Sequence, residues 1–228
     1  RVEAVAVVVP PDLHEAICAA ALGAGRPVLV EKPLAPTLAA ARRIAEAAGR
    51  AGVACMVAQT LRFNPIVRAI RDRLPGIGPL RTLALNQRFE PSSLPWLDDP
   101  GPGGILKNTG VHSFDLVRHL SGDEVREVFC DARRIRTRRT EDAFAAILRL
   151  ATREVVVTVD GSRVAGGRSG RIEACGEDGQ LVGDHVLGTL VEVRGTRLTP
   201  LPAPPPVPTI REALRAFAAL VRGTGPNP

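Results

Sequence analysis

Residues 4–11 read Ala-Val-Ala-Val-Val-Val-Pro-Pro, and residues 28–33 read Val-Leu-Val-Glu-Lys-Pro. The first run is apolar at every position until the prolines end it. A strand buried on both faces has this pattern, as in a parallel sheet covered by helices. Asp12 is placed to cap a helix over about 13–23, which Gly23 and Gly25 close. Residues 28–30 give a second short buried strand. Thr37 then caps a helix running to about Ala51, with Gly52 as its stop, and residues 53–57 read as a third strand. Strand, helix, strand, helix, strand is the order of a parallel α/β sheet. It amounts to the second half of a Rossmann-type domain, whose first turn normally carries a G-x-G-x-x-G phosphate loop. No such loop lies between Arg1 and Thr60. The parent protein is therefore expected to continue upstream by roughly 60–70 residues.

The pattern changes after Thr60. Asn64 and Pro65 open a helix through Leu74, and a strand follows at about 80–90. A loop rich in Pro, Gly and Asp spans 91–104, and a helix covers about 109–120 before Gly122. Strands are expected at about 125–136, 142–150, 153–160, 170–175, 180–183, 189–194 and 196–199. Gly176-Glu177-Asp178-Gly179 is a hairpin turn signal. This order implies an α+β domain with a large open, mainly antiparallel sheet. Residues 200–208 contain six prolines and read as an extended strap. Thr209 and Glu212 form a capping box for a last helix through Val221. The expected division is thus 1–60 and 61–228.

Composition narrows the function classes. The 228 residues are 45% hydrophobic, and no apolar run reaches the roughly 18 residues that cross a bilayer. Arg1 to Val9 lack the layout of a signal peptide, so a cytoplasmic protein without a membrane partner is expected. Cys18, Cys55, Cys130 and Cys175 form no C-x-x-C pair and read as small apolar residues, with neither a metal site nor a disulfide framework expected. The net charge of +6 would suit nucleic acid, yet only Lys32 and Lys107 among thirty basic residues are lysines. That bias adds charge without adding a partner. The densest cluster, Arg133 to Arg139, has no interleaved aromatics for base stacking and reads as a solvated strand end.

Two stretches carry candidate chemistry. Glu31-Lys32-Pro33 follows the strand at 28–30, and open α/β sheets bind ligands beyond the carboxyl ends of their strands. Pro33 keeps Lys32 out of the helical region and displays both charges on a stiff turn. In an ideal helix Asn108, His112, Asp115 and His119 share one face, because successive residues turn by about 100°. Histidine titrates near neutrality and suits proton transfer, and Asp115 is placed to orient it. A solvated ion-pair loop and a solvent-facing stripe are the bland alternatives. Gly101-Pro102-Gly103-Gly104 with Lys107 lacks the G-K-[ST] and preceding strand of a phosphate loop. Gly166 to Arg171 reads as a hairpin loop rather than an RNA-binding segment.

Together these segments resemble the Gfo/Idh/MocA oxidoreductases. The matching stretches are residues 7–14, 24–35, 61–65 and 103–116, with the hairpin at 176–181. Glu-Lys-Pro alone is weak. Followed some 75 residues later by Gly-Gly-x-x-x-Asn-x-Gly-x-His-x-x-Asp, it is specific. The resemblance implies an NAD- or NADP-dependent enzyme acting on a sugar, inositol or related polyol. Lys32 and His112 would be catalytic, with Asn108, Asp115 and Arg62 contacting substrate. Pro10, Pro11, His14, Glu31, Lys32, Pro33, Gln59 and Asn64 would border the cofactor, with Gln59, Arg62 and Asn64 along the cleft. The sheet face would make a homo-oligomer. Many members carry Asp where this chain has Asn108, and Asn cannot accept a proton. A non-catalytic nucleotide-sensing relative that binds a protein partner is the alternative. Without the phosphate loop, the chain by itself is expected to bind dinucleotide poorly and to be inactive.

Overall fold

A computed structural model describes residues 2–101 and 103–228. The chain forms two compact units, one comprising the residues up to Thr60 with Pro208–Pro228, the other Leu61–Val207.

In the first unit β1 (Val5–Val7), β2 (Val28–Val30) and β3 (Cys55–Val57) form a parallel sheet in the order β1-β2-β3. Val5 pairs with Val28, and Val28 with Cys55. Helices α1 (His14–Gly23) and α2 (Leu38–Ala51) connect the strands. Every residue of β2 is buried, as its unbroken apolar run requires of a central strand. The core holds Val7, Cys18, Leu22, Val28, Val30 and Ile44. Each large side chain there contributes about 1.5–3 kcal/mol by leaving water. Thr37 caps α2 by accepting from the Ala40 amide at 3.2 Å, and Gly52 ends it at φ 63°. Asp12 does not cap α1. A single 3₁₀ turn, Pro11–Leu13, runs directly into that helix and leaves no separate cap position.

The last helix, α5 (Thr209–Val221), groups with the first unit, whereas the sequence placed it with the second. Its Ala213 and Phe217 are buried. Leu220 and Asn227 border the groove formed by Ile44, Val53 and Val57, and Asn227 Nδ2 donates to the Cys55 carbonyl at 3.1 Å. The expected capping box is absent. Pro208 takes the cap position, so Thr209 already lies inside the helix and Glu212 pairs with Arg215 instead.

The second unit is an eight-stranded sheet with helices on one face. Its strands are β4 (Leu80–Arg88), β5 (Val125–Arg133), β6 (Ala143–Leu150), β7 (Val156–Ser162), β8 (Ser169–Gly176), β9 (Gln180–Asp184), β10 (Thr189–Arg194) and β11 (Arg197–Pro200). The order is β11-β10-β9-β8-β4-β7-β6-β5, and within this sheet the central β4–β7 pair is parallel while the other described pairs are antiparallel. Residues 163–168 therefore cross the end of β4 and do not close a β7–β8 hairpin as expected. Helices α3 (Pro65–Arg73) and α4 (Val111–Ser121) pack on the inner face. Strand β6 shows the alternation this demands: Phe144, Ala146, Leu148 and Leu150 are buried, while Ala145, Ile147 and Arg149 are exposed. The helices bring Ile66, Val67, Ile70, Leu116, Val117 and Leu120 to the same core.

Candidate active site

The first group of candidates lies beyond the carboxyl ends of the parallel strands. Pro10 and Pro11 follow β1, Glu31-Lys32-Pro33 follow β2, and Gln59 follows β3. The Glu31 amide donates to the Val7 carbonyl at 3.0 Å, carrying the ladder one step past β2. Glu31 Oε2 accepts from the Lys32 amide at 3.3 Å, and the Lys32–Pro33 peptide is cis. Lys32 is half-buried. Gln59 Oε1 is a buried acceptor with no hydrogen-bond partner among the described residues. Leaving such an atom unpaired costs about 1–3 kcal/mol.

His14 has a different place from the one expected. It is fully buried. Its Nε2 meets the Val9 carbonyl at 2.9 Å, and its Nδ1 meets the carbonyls of Pro33 and Leu34 at 3.1 and 3.2 Å. It ties the turn after β1 to the turn after β2, so it braces the strand-end loops and offers no surface to a cofactor.

The second group centres on α4. Residues 103–110 approach it through a turn that regular helical periodicity does not anticipate. Leu106–Gly110 form one π turn before the α-helix begins at Val111. Such turns are rare and recur at functional sites. Gly104 lies at φ 84°, and the Glu141 carboxylate occupies the space that a Cβ there would take. Glu141 Oε1 also accepts from the Leu106 amide at 3.1 Å, and its carbonyl accepts from the Ile105 amide at 2.9 Å. Glu141 thus fixes the entry to the turn that carries Asn108. Lys107 Nζ donates to the carbonyls of Pro100 and Gly101, closing the preceding loop and not offering itself to a phosphate. Pro102, part of the glycine-rich stretch noted in the sequence, lies outside the described residues.

The π turn also alters the stripe drawn for an ideal helix. Asn108 and His112 are half-buried. Asp115 is buried, and both its oxygens accept from Arg62, at 2.8 Å from Nε and 2.5 Å from Nη2. Arg62 and Asp115, both expected to contact substrate, are thus bound to each other as an ion pair. It ties the turn before α3 to α4. His119 lies further along α4, its pKa pushed down to about 4 by burial first, then by the charges of Arg71 and Arg62. It stays neutral in ordinary buffers. Asn64 is engaged at both ends of its amide: Oδ1 caps α3 at the Ile66 amide, and Nδ2 donates to the His185 carbonyl at 3.1 Å. It serves as a helix cap. Two braces escaped sequence reasoning. Gln87 donates to Ser113 at 3.0 Å inside the core, and Arg163 donates to Thr109 at 3.0 Å. Both join residues distant in sequence, and no local signal announces them.

Comparison with known proteins follows the same division. Residues 1–59 match the family described as "Oxidoreductase family, NAD-binding Rossmann fold", and residues 77–182 match "GFO/IDH/MocA C-terminal domain". A 1,5-anhydro-D-fructose reductase of Ensifer adhaerens is 30% identical over 239 residues, covering 98% of this chain and 71% of the relative. A myo-inositol 2-dehydrogenase of Thermotoga maritima is 28% identical over 198 residues, covering 84% of this chain and 59% of the relative. The chain spans 53% to 60% of the length of that enzyme and of two further inositol dehydrogenases it matches. Among solved structures, an oxidoreductase domain protein of Kribbella flavida superimposes with a TM-score of 0.86 at 26% identity, covering all of this chain and 73% of the other. Both family models match in chain order, and a relative at 30% identity covers nearly the whole chain, so this chain belongs to the Gfo/Idh/MocA family of oxidoreductases.

Proposed function

We propose that the protein transfers a hydride between a nicotinamide cofactor, NAD or NADP, and a secondary hydroxyl or ketone of a sugar, inositol or related polyol. The observation that carries this reading is the row of strand ends holding Pro10–Pro11, Glu31-Lys32-Pro33 and Gln59. Dinucleotides bind at that edge of an open α/β sheet. The residues fit such a ligand: Gln59 Oε1 needs a donor, and a ribose hydroxyl or carboxamide N–H supplies one. Glu31 and Lys32 stand ready for ribose hydroxyls. When bound, the nicotinamide supplies the hydride acceptor or donor.

The protein's own part is handling of the proton. Lys32 donates hydrogen bonds to hydroxyls and, partly desolvated, exchanges a proton. His112 takes or returns the hydroxyl proton as general base or acid. Asn108 positions the hydroxyl by hydrogen bonding and moves no proton itself. The uncovered face of the large sheet presents Phe129, Ile147 and Val156 to solvent, each about half exposed. That apolar strip supports assembly into a homo-oligomer.

The test is turnover by the protein extended upstream to include a glycine-rich phosphate loop, with NAD and NADP against a polyol panel. Lys32→Ala and His112→Ala should each abolish turnover. Undiminished rates in both would overturn the assignment. Asn108 favours one second reading, a nucleotide sensor: cofactor binding without turnover of any polyol would establish it.

A further inference from the structure

The crossover from β7 to β8 sets two guanidinium groups on one aromatic ring. Strand β4 lies between them, so residues 163–168 pass over its carboxyl end. Phe89 follows β4 directly, and its amide donates to the Ser162 carbonyl at 2.9 Å, extending the ladder. By strand alternation Phe89 falls on the face of Leu83, Leu85 and Gln87, the face that α4 covers. Arg163 Cζ stands 5.9 Å from the Phe89 ring centre and Arg168 Cζ 4.9 Å from it.

Neither arginine pairs with a carboxylate among the described residues, whereas Arg81, Arg88, Arg118 and Arg171 all do. Arg163 is half-buried, and its burial pushes the guanidinium pKa below the ordinary range. A desolvated cation without a counter-charge is costly. Glu141 and Asp142 line the same cleft with Arg136 and Ser92, yet they are spent on backbone amides. Glu141 accepts from Leu106, and Asp142 from Ile135, Arg136 and Thr137. The Arg163 guanidinium is fastened by Thr109, the neighbour of Asn108 in the π turn that leads to His112. The cation is thus built into the segment that is to hold the reacting hydroxyl.

We propose that Arg163 and Arg168, backed by Phe89, form an oxyanion subsite. The substrate is then a hydroxylated molecule bearing a carboxylate or phosphate group, not a neutral polyol. A guanidinium fork matches either group with two parallel hydrogen bonds. Assigning the group's bearer as the substrate rests on the oxidoreductase reading; binding of the anion does not.

Titration calorimetry of the 228-residue chain with D-gluconate, D-glucose 6-phosphate and D-glucose compares two oxyanion sources with a neutral match. At least one anion should bind about tenfold or more tightly than glucose, the effect of a charge-assisted hydrogen-bonded pair. Tighter gluconate marks a sugar acid, and tighter glucose 6-phosphate a sugar phosphate. Arg163→Gln and Arg168→Ala should each remove most of that advantage and leave glucose unaffected, while Arg163→Lys keeps part of it. Thermal melts confirm that the variants fold, and Arg168, being exposed, tests the subsite even where Arg163 variants are unstable. Equal binding of all three probes, binding of none, or an advantage unchanged in folded Arg163→Gln or Arg168→Ala overturns the proposal. Turnover in the upstream-extended protein is read separately. An arginine-dependent anion advantage without any turnover leaves the subsite standing and removes the oxidoreductase reading; turnover of polyols without that advantage does the reverse.

Discussion

Removing either partner of the Arg62–Asp115 pair should destabilise the chain about as much as removing both. The side chains are 21% and 8% exposed, and both carboxylate oxygens receive guanidinium N–H groups. Removing one partner of a buried pair costs about 3–5 kcal/mol, because the other charge stays behind without compensation. Water reaches part of Arg62, so Asp115→Ala belongs near the lower end of that range. Arg62→Ala strands a carboxylate that water barely reaches, and belongs near the upper end. In the double variant neither charge remains, so its cost should fall short of additivity by about 3 kcal/mol or more. Urea unfolding followed by circular dichroism on the wild type, both single variants and the double variant gives this coupling directly. His119 supplies an independent readout. Burial is the main cause of its depressed pKa, with Arg71 and Arg62 pushing it down further and Asp115 pushing it up, so Arg62→Ala should raise it part of the way from about 4 and Asp115→Ala should lower it further. Proton NMR titration of the imidazole follows both. Additivity within about 0.5 kcal/mol, or a His119 pKa indifferent to Arg62, would refute the reasoning.

Other perturbations follow from single contacts. Gln59→Leu removes a buried acceptor without a partner, so the chain should gain about 1 kcal/mol in urea unfolding. In the upstream-extended protein the same change should weaken NADH binding, read by cofactor fluorescence. Gly104→Ala forces a side chain into a left-handed conformation at φ 84° and against Glu141, and should cost about 1–2 kcal/mol with a matching fall in Tm. Asn108→Asp restores a proton-accepting group, so kcat/KM in the extended protein should acquire an additional acidic limb that wild type lacks. The depressed pKa of His119 gives the chain's stability a pH dependence. As pH falls from 6.5 toward about 4 the unfolded chain takes up a proton that the folded imidazole refuses, so stability declines through that window and is fully present above it. A His119→Gln variant should flatten that slope in urea midpoints measured at successive pH values.

The sequence by itself determined the identity and order of the elements, because their causes are local. The unbroken apolar run at 28–30 demanded a strand covered on both faces, and β2 is buried throughout; the run at 4–9 was read the same way, yet β1 buries Val7 and leaves Ala6 and the following Val8 exposed. Strand β6, apolar at every position but Arg149, was legible as a strand, while the alternation of its buried and exposed residues came from the structure. The Glu-Lys-Pro turn and the glycine-rich lead to Asn108 and His112 were legible as motifs, since their chemistry depends on residue type and short spacing. Only the tertiary structure decided where those side chains are spent. His14 became a brace because the turns after β1 and β2 present three carbonyls to it. Arg62 fastened Asp115, and the His185 carbonyl took the Asn64 amide, through contacts between segments far apart in the chain. The π turn at 106–110 shifted a face drawn with regular helical spacing. The crossover over β4, invisible as anything but a loop in sequence, brought Arg163 and Arg168 to Phe89. Local patterning fixes backbone conformation because its energetics act between near neighbours. The partners of a buried polar group are selected by whichever distant segment folding places within hydrogen-bond reach.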